Sequence, residues 1–160
     1  MSDYKLNLLN FLLIALPSGL SYSYVGPTLL GIYLDLKVAV MSGALLGISA
    51  LIMRMVEIPI GLNAFIVTFI LFVLLATIGR LSIRTAALAC VLSTTVLFIG
   101  GNLFIIPTIA IFDISVEESI NIFKYRVIMT WISEVLPAVI VVFLARRFNT
   151  IVYKAPEANK

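Results

Sequence analysis

The sequence contains no histidine and only one cysteine, Cys90, which lies inside an apolar run. Metal sites built on histidine or cysteine need several such ligands, and a Ser-His-Asp triad needs a histidine. A single cysteine cannot form a disulfide within the chain. These absences exclude the common zinc and triad chemistries, and we expect no metal ion, no other cofactor and no catalytic residue.

Charged residues are also scarce, at 12% of 160 residues, whereas 62% are hydrophobic. A soluble domain is about one quarter charged, and a water-soluble fold of this length cannot bury so many apolar side chains. The net charge of +3 includes no basic stretch interleaved with aromatic residues, so no nucleic-acid partner is expected. The composition therefore predicts an integral membrane protein with the lipid bilayer as its first partner.

Apolar runs of membrane-spanning length divide the chain into five segments. A span needs about 20 mostly apolar residues, and such runs cover residues 6–34, 38–56, 62–79, 85–112 and 127–148. Because the runs are continuous, the predicted fold class is all-α, a polytopic transmembrane helix bundle over residues 1–148 with a short cytoplasmic tail at 149–160. The first run is expected to be a retained span, since it is too long for a cleaved signal peptide.

Helix-breaking residues predict irregularities in this bundle. The prolines of the first helix predict a kink near Pro17 or Pro27, and the stretch Gly100–Pro107 predicts one in the fourth helix. Ser115 followed by Glu118 has the spacing of a capping box, in which each side chain satisfies a free backbone amide of the other residue. A short interfacial helix is therefore expected before the last span.

The distribution of cations predicts the orientation. With five spans, four cations lie on one side of the membrane and seven on the other. The smaller group is Lys5, Arg54, Lys124 and Arg126, and the larger is Lys37, Arg80, Arg84, Arg146, Arg147, Lys154 and Lys160. Because cytoplasmic loops carry the excess of lysine and arginine, we expect a protein of the cytoplasmic (inner) membrane with its N-terminus outside and its C-terminus inside.

Two opposite charges interrupt the apolar chain in RMVEIPIGLNAF, Arg54–Phe65. Arg54 and Glu57 are three residues apart and can pair on one face of a helix, which Pro59 then ends. One interpretation is a turn at the outer interface with charges that reach the headgroups. The other is a rim that binds a ligand or partner, and the sequence leaves both open.

Glu134 is a carboxylate inside the last predicted span. Such a group is costly in lipid and should face the bundle interior or a wet cavity, where it finds a partner. Arg54 is the expected partner, because both residues belong to the outer half of the membrane. The alternative is a carboxylate that extends to the outer interface beside Trp131.

Asn102 follows two glycines inside the fourth predicted span. A loosened helix with this amide turned inward would line a binding site, as in broken transporter helices. In the alternative, the glycines permit close helix packing and the amide bonds a neighbour. Asn102 therefore joins Arg54, Glu57 and Glu134 as a candidate ligand- or partner-binding residue.

Small residues recur every fourth position in the second predicted span, at Ala39, Gly43 and Gly47. This small-xxx-small pattern predicts a face for close helix packing. The pattern does not distinguish packing within one chain from packing in a homo-oligomer, so both stay open.

Three motifs taken in order resemble a known group of proteins: NFLLIALPSGL (Asn10–Leu20), GPTLLGI (Gly26–Ile32) and IPIGLNAFI (Ile58–Ile66). They are similar to small five-helix membrane proteins of Gram-positive bacteria that resemble the membrane sensor region of quorum-sensing-type histidine kinases. The similarity covers roughly the first half of the chain. No dimerisation helix or ATP-binding domain is expected after Phe148, so the resemblance implies a stand-alone sensor-like or accessory subunit.

Two functions follow as hypotheses. The first is a non-enzymatic bacterial membrane protein that binds a peptide or lipid-like signal and couples to a membrane or cytoplasmic partner protein. The second is transport, either as the substrate-binding subunit of a transporter or as an oligomeric channel. An intramembrane enzyme finds no support, since no paired catalytic residues are present.

Overall fold

The chain folds into five helices within the residues that the structure describes. The structure, a computed structural model, describes residues 8–55, 60–115, 118 and 122–148, except the side chains of 54, 55, 60 and 61. The helices are α1 (Leu8–Leu29), α2 (Leu36–Met55), α3 (Ile60–Thr77), α4 (Ile83–Phe112) and α5 (Phe123–Phe148). No strand occurs in the described ranges, so the all-α prediction is confirmed.

Four of these helices, α1, α2, α4 and α5, are long and apolar enough to cross a membrane. The described apolar stretch of α3, Leu62–Thr77, is shorter. Many large apolar side chains on the outside of the bundle are exposed, including Phe98 at 70% and Ile106 at 69%. Lipid is the solvent that such a surface requires, and the chain is a multi-pass membrane protein.

Helix α1 lies at the centre of the bundle. It packs against α2, α4 and α5, whereas α3 lies on the far side and packs mainly against α2 and α4. One apolar core joins the ends of α1 and α3 to α2 and α4 around Leu46, Leu71 and Leu75. A second core joins α1, α4 and α5 around Val25 and Leu97. The central helix is therefore enclosed on three sides, which accounts for its many buried residues.

Small residues permit the close approach of α1 and α2. A Cβ atom added to Gly43 would lie 2.8 Å from the backbone nitrogen of Leu20, and one added to Gly47 would lie 2.6 Å from the backbone oxygen of Ala15. Ala39 on the same stripe is also buried. The predicted small-xxx-small stripe thus packs against α1 within the chain.

The helix ends bring the basic residues together. Helix α1 ends where Gly31 takes a φ of 75°, a conformation that glycine adopts without strain. The side chain of Ser82 accepts a 3.4 Å hydrogen bond from the Thr85 backbone and caps α4. Because successive helices reverse direction, five cations share one end of the bundle. We call this the basic end: Lys37, Arg80, Arg84, Arg146 and Arg147.

Several boundaries differ from the sequence prediction. Helix α1 ends at Leu29 rather than near residue 34, because the chain turns at Leu30 and Gly31. Helix α5 begins at Phe123 rather than at residue 127. The Ser115–Glu118 capping box is confirmed, with a 2.9 Å and a 3.1 Å hydrogen bond in opposite senses. The interfacial helix predicted to follow it falls mainly outside the described residues.

Candidate ligand-binding groove

Helices α1 and α5 each contain a π-helical segment of five residues, and the two segments have similar sequence surroundings. They are Phe11–Ala15 and Trp131–Val135, and each is followed directly by Leu-Pro, in FLLIALP and WISEVLP. In each segment the leucine N–H bonds to the carbonyl five residues earlier rather than four, which is the π pattern. The first π segment lies just before Pro17, one of the two prolines at which a kink is predicted, whereas α4 continues as one α-helix through Pro107.

A tryptophan on one π segment satisfies a backbone group of the other. Proline has no N–H, so Pro17 cannot bond the carbonyl of Leu13, four residues before it. The indole Nε1 of Trp131 donates a 2.9 Å hydrogen bond to this carbonyl. In lipid no water can take that place, so the contact holds the two irregular segments side by side.

Ser93 on α4 makes a similar contact near the other proline of α1. Its Oγ accepts a 2.8 Å hydrogen bond from the Gly26 N–H and donates a 2.7 Å hydrogen bond to the Tyr22 carbonyl. These two backbone groups belong to one turn of α1, directly before Pro27. Ser93 is fully buried, so α4 is held to α1 by a polar contact inside the bundle.

An apolar groove of about 610 Å³ lies on the outside of the bundle, with α1 as its floor and α5 as one wall. The start of α2 forms the other wall near the basic end. We call it the α2–α5 groove, and it is lined by Leu16, Pro17, Leu20, Ser21, Tyr24, Leu36, Ala39, Trp131, Val135, Ala138, Val139, Val142, Phe143 and Arg146. The hydroxyl of Ser21 is already bonded to the Pro17 carbonyl. The volume lies in the usual range of ligand pockets, roughly 300–1,000 Å³.

Arg146 closes the groove at the basic end. Its Nη2 donates to the hydroxyl of Tyr24, and its guanidinium carbon lies 5.5 Å from the ring centre of Tyr24 and 5.2 Å from that of Tyr33. Cation–π contact at this range fixes a guanidinium without neutralising its charge. Ala145, which is buried against the core shared with α1, brings this end of α5 close to Tyr24. The groove therefore has one cationic end and an apolar remainder.

Glu134 belongs to the second π segment and is half-buried. Its carboxylate lies within electrostatic range of Tyr22 on α1, in agreement with the predicted orientation toward the bundle. The side chain of Arg54 and the whole of Glu57 lie outside the described residues. The Arg54–Glu134 pair and the Arg54–Glu57 pair therefore stay predictions.

The structure does not bring Asn102 to this region. Its side chain is exposed, and its Nδ2 donates a 2.7 Å hydrogen bond to the Phe98 carbonyl of its own helix. The inward orientation considered from the sequence is wrong, because the glycines before Asn102 occupy the inner face. A Cβ on Gly100 would lie 2.6 Å from the side chain of Pro137, so these glycines serve helix packing.

A second cavity, of about 650 Å³, lies at the basic end between the α1–α2 and α3–α4 connections. Asp35 and Arg80 are among its lining residues, and Arg80 has a φ of 52°.

At the opposite end of the bundle, Arg126 Nη2 donates a 2.5 Å hydrogen bond to Asn10 Oδ1. This contact ties the start of α5 to the start of α1.

The chain matches no protein-family model, no curated protein and no solved structure. The resemblance to membrane sensor regions therefore stays a prediction.

Proposed function

We propose that this protein is a sensor-like or accessory subunit of the cytoplasmic membrane that binds a lipid-like signal molecule in the α2–α5 groove. The observation that supports this most is the apolar groove closed at one end by Arg146 between two tyrosine rings. A lipid-like molecule fits better than a peptide. Peptide backbone groups need hydrogen-bond partners when they leave water, and the lining offers few.

The position of the groove suggests how occupancy is sensed. Pro17 and Leu16 on the floor directly follow one π segment, and Trp131 and Val135 on the wall belong to the other. A ligand in the groove touches both irregular segments at once. A ligand shifts an equilibrium when it binds one arrangement better than another, and π segments are sites where a helix can change its hydrogen-bond register. We propose that ligand binding changes the hydrogen-bond register of these π segments and that this change is the signal.

The basic end is the proposed site of coupling to a partner protein in the membrane or the cytoplasm. The excess of lysine and arginine there supports a cytoplasmic location for this end, with the N-terminus outside. The cavity beside Asp35 and Arg80 lies next to Tyr33, which also contacts Arg146. A movement of Arg146 would therefore be passed through Tyr33 to the surface that we propose faces the partner. No enzymatic step is part of the proposal.

Native mass spectrometry of the protein after gentle extraction tests this function. The expected result is one lipid-like molecule retained per chain, together with a protein partner at fixed stoichiometry. Retention of a polar, metabolite-sized molecule would instead support the substrate-binding subunit of a transporter. Retention of neither would contradict the proposal.

Two valines provide a matched pair for this experiment. Val139 lines the groove and is 59% exposed, whereas Val91 lies on α4 away from the groove and is 61% exposed. Val139→Phe should fill the groove and remove the retained molecule, because its side chain occupies the ligand's space. Val91→Phe adds the same volume to the lipid-facing surface and should leave retention unchanged.

A further inference from the structure

We infer that the ligand of the α2–α5 groove is an anionic phospholipid of the leaflet at the basic end, with its phosphate on Arg146 and one acyl chain along α5. The inference rests on the proposed function and names the chemical class of the ligand. It commits to a lipid from the surrounding bilayer rather than a soluble anion.

The charge of the groove lining favours an anionic headgroup. Arg146 is the only charged residue among those that line the groove. Its hydrogen bond to Tyr24 uses one N–H, and a guanidinium has several more in a planar fork that matches phosphate oxygens. At the basic end, Asp35 is the acidic residue of the described ranges, and it lines the neighbouring cavity instead. The mouth of the groove therefore presents the Arg146 guanidinium, and no carboxylate in the lining competes with a ligand for it.

The length of the groove favours an acyl chain as the apolar part of the ligand. From Arg146 to Trp131 the wall extends about 22 Å along α5, at about 1.5 Å per residue. One leaflet is half of the hydrocarbon core, about 15 Å, so a chain anchored at Arg146 crosses its own leaflet and ends in the part of the groove near Trp131. Phe143 at the wall is 63% exposed, so the groove is open to the bilayer and an acyl chain can enter sideways. The cytoplasmic leaflet is rich in anionic lipids.

The experiment is a lipid titration of the intact protein in detergent, followed by native mass spectrometry. Three probes with identical acyl chains are compared: phosphatidylglycerol, phosphatidylcholine and diacylglycerol. The first bound phosphatidylglycerol should bind about tenfold more tightly than phosphatidylcholine, because both lipids offer a phosphate to Arg146 but the choline cation of phosphatidylcholine is repelled by it. Diacylglycerol, which has no phosphate, should bind more weakly than either.

Adjacent arginines provide the control. Arg146 contacts two tyrosine rings beside the groove, whereas Arg147 is an exposed neighbour outside the lining. Arg146→Gln should abolish the preference for phosphatidylglycerol, and Arg147→Gln should keep it. An equal loss in both variants would show a diffuse charge effect and overturn the inference.

The outcomes separate this inference from the proposed function. Saturable binding of one lipid, blocked by Val139→Phe but equal for all three probes, would overturn the headgroup assignment and leave the groove as a lipid site. If no probe binds with a stoichiometry of one, both proposals fail. A preference for phosphatidylglycerol that is lost only in Arg146→Gln supports both.

Discussion

Trp131 on α5 donates its indole hydrogen to the Leu13 carbonyl on α1 over 2.9 Å. That carbonyl lacks its usual partner because Pro17 has no N–H. The contact joins the two π segments and lies at the end of the groove away from Arg146. Trp131 therefore both holds α5 to α1 and lines the groove.

Trp131→Phe should lower the free energy of unfolding by about 1–3 kcal/mol, the cost of leaving a carbonyl in lipid without a hydrogen-bond partner. The measurement is unfolding in mixed micelles with increasing dodecyl sulfate. Pro17→Ala supplies an N–H that can reach the Leu13 carbonyl, so the same substitution in that background should cost less. An equal cost in both backgrounds would mean that the hydrogen bond does not depend on Pro17.

Ser93→Ala removes a side chain that serves two backbone groups of α1. We expect a loss of about 1–3 kcal/mol in the free energy of unfolding for each group left unsatisfied. Thr94 is the control, because its buried Oγ1 makes no hydrogen bond to the described residues. Thr94→Val should be close to neutral, and similar losses for the two variants would contradict the assignment of Ser93.

Gly26→Ala tests the close contact of α1 with α4. A Cβ at this position would overlap the Ala89 carbonyl and lie 2.5 Å from Ser93 Oγ, so we expect a cost of about 1–3 kcal/mol from overpacking. Gly101→Ala is the matched control, since its Cβ would lie at an ordinary 3.5 Å from the Ser133 carbonyl. That variant should be neutral or gain up to about 1 kcal/mol from helix propensity. A reversal of this order would contradict the packing described.

The capping interaction of Glu118 should depend on pH. Hydrogen bonds from the Ser115 backbone and side chain lower the pKa of the Glu118 carboxyl group below its ordinary value. A lowered pKa stabilises this turn above the pKa of the unfolded chain, and the stabilisation is lost as the pH falls through the lowered value. Ser115→Ala should raise the pKa part of the way back, which carboxyl NMR titration measures. A pKa that does not change would refute the side-chain contribution.

The membrane class and the helical fold could be predicted from the sequence because they depend on local composition. Continuous apolar runs indicate helices whatever their neighbours are, and the Ser115–Glu118 spacing indicates its own capping box. Pro17 indicated an irregularity in the first helix for the same reason, but its π-helical form was not predicted. The Leu-Pro repeat at 16–17 and 136–137 was the signal that would have identified the second.

The contacts between helices could not be read from the sequence. Arg146 was noted there only as one of seven cations, because its position between Tyr24 and Tyr33 depends on how α5 packs on α1. The role of Ser93 could not be predicted either, because its partners belong to another helix. The two interpretations of Asn102 could not be separated from its neighbours in sequence, because the rotation of α4 decides that the glycines lie inside and the amide outside.

The central claim is that an acyl chain lies along the groove from Arg146 to Trp131, and fluorescence quenching of Trp131 tests it most directly. Trp131 is the only tryptophan in the chain, and bromine on an acyl chain quenches at short range. Phosphatidylglycerol brominated near the chain end should quench saturably at one lipid per protein, and more strongly than lipid brominated near the headgroup. The comparison protein carries Trp131→Phe and Phe98→Trp, on the lipid-facing side of α4, and should show no saturation. Equal, unsaturable quenching in both proteins would contradict the claim.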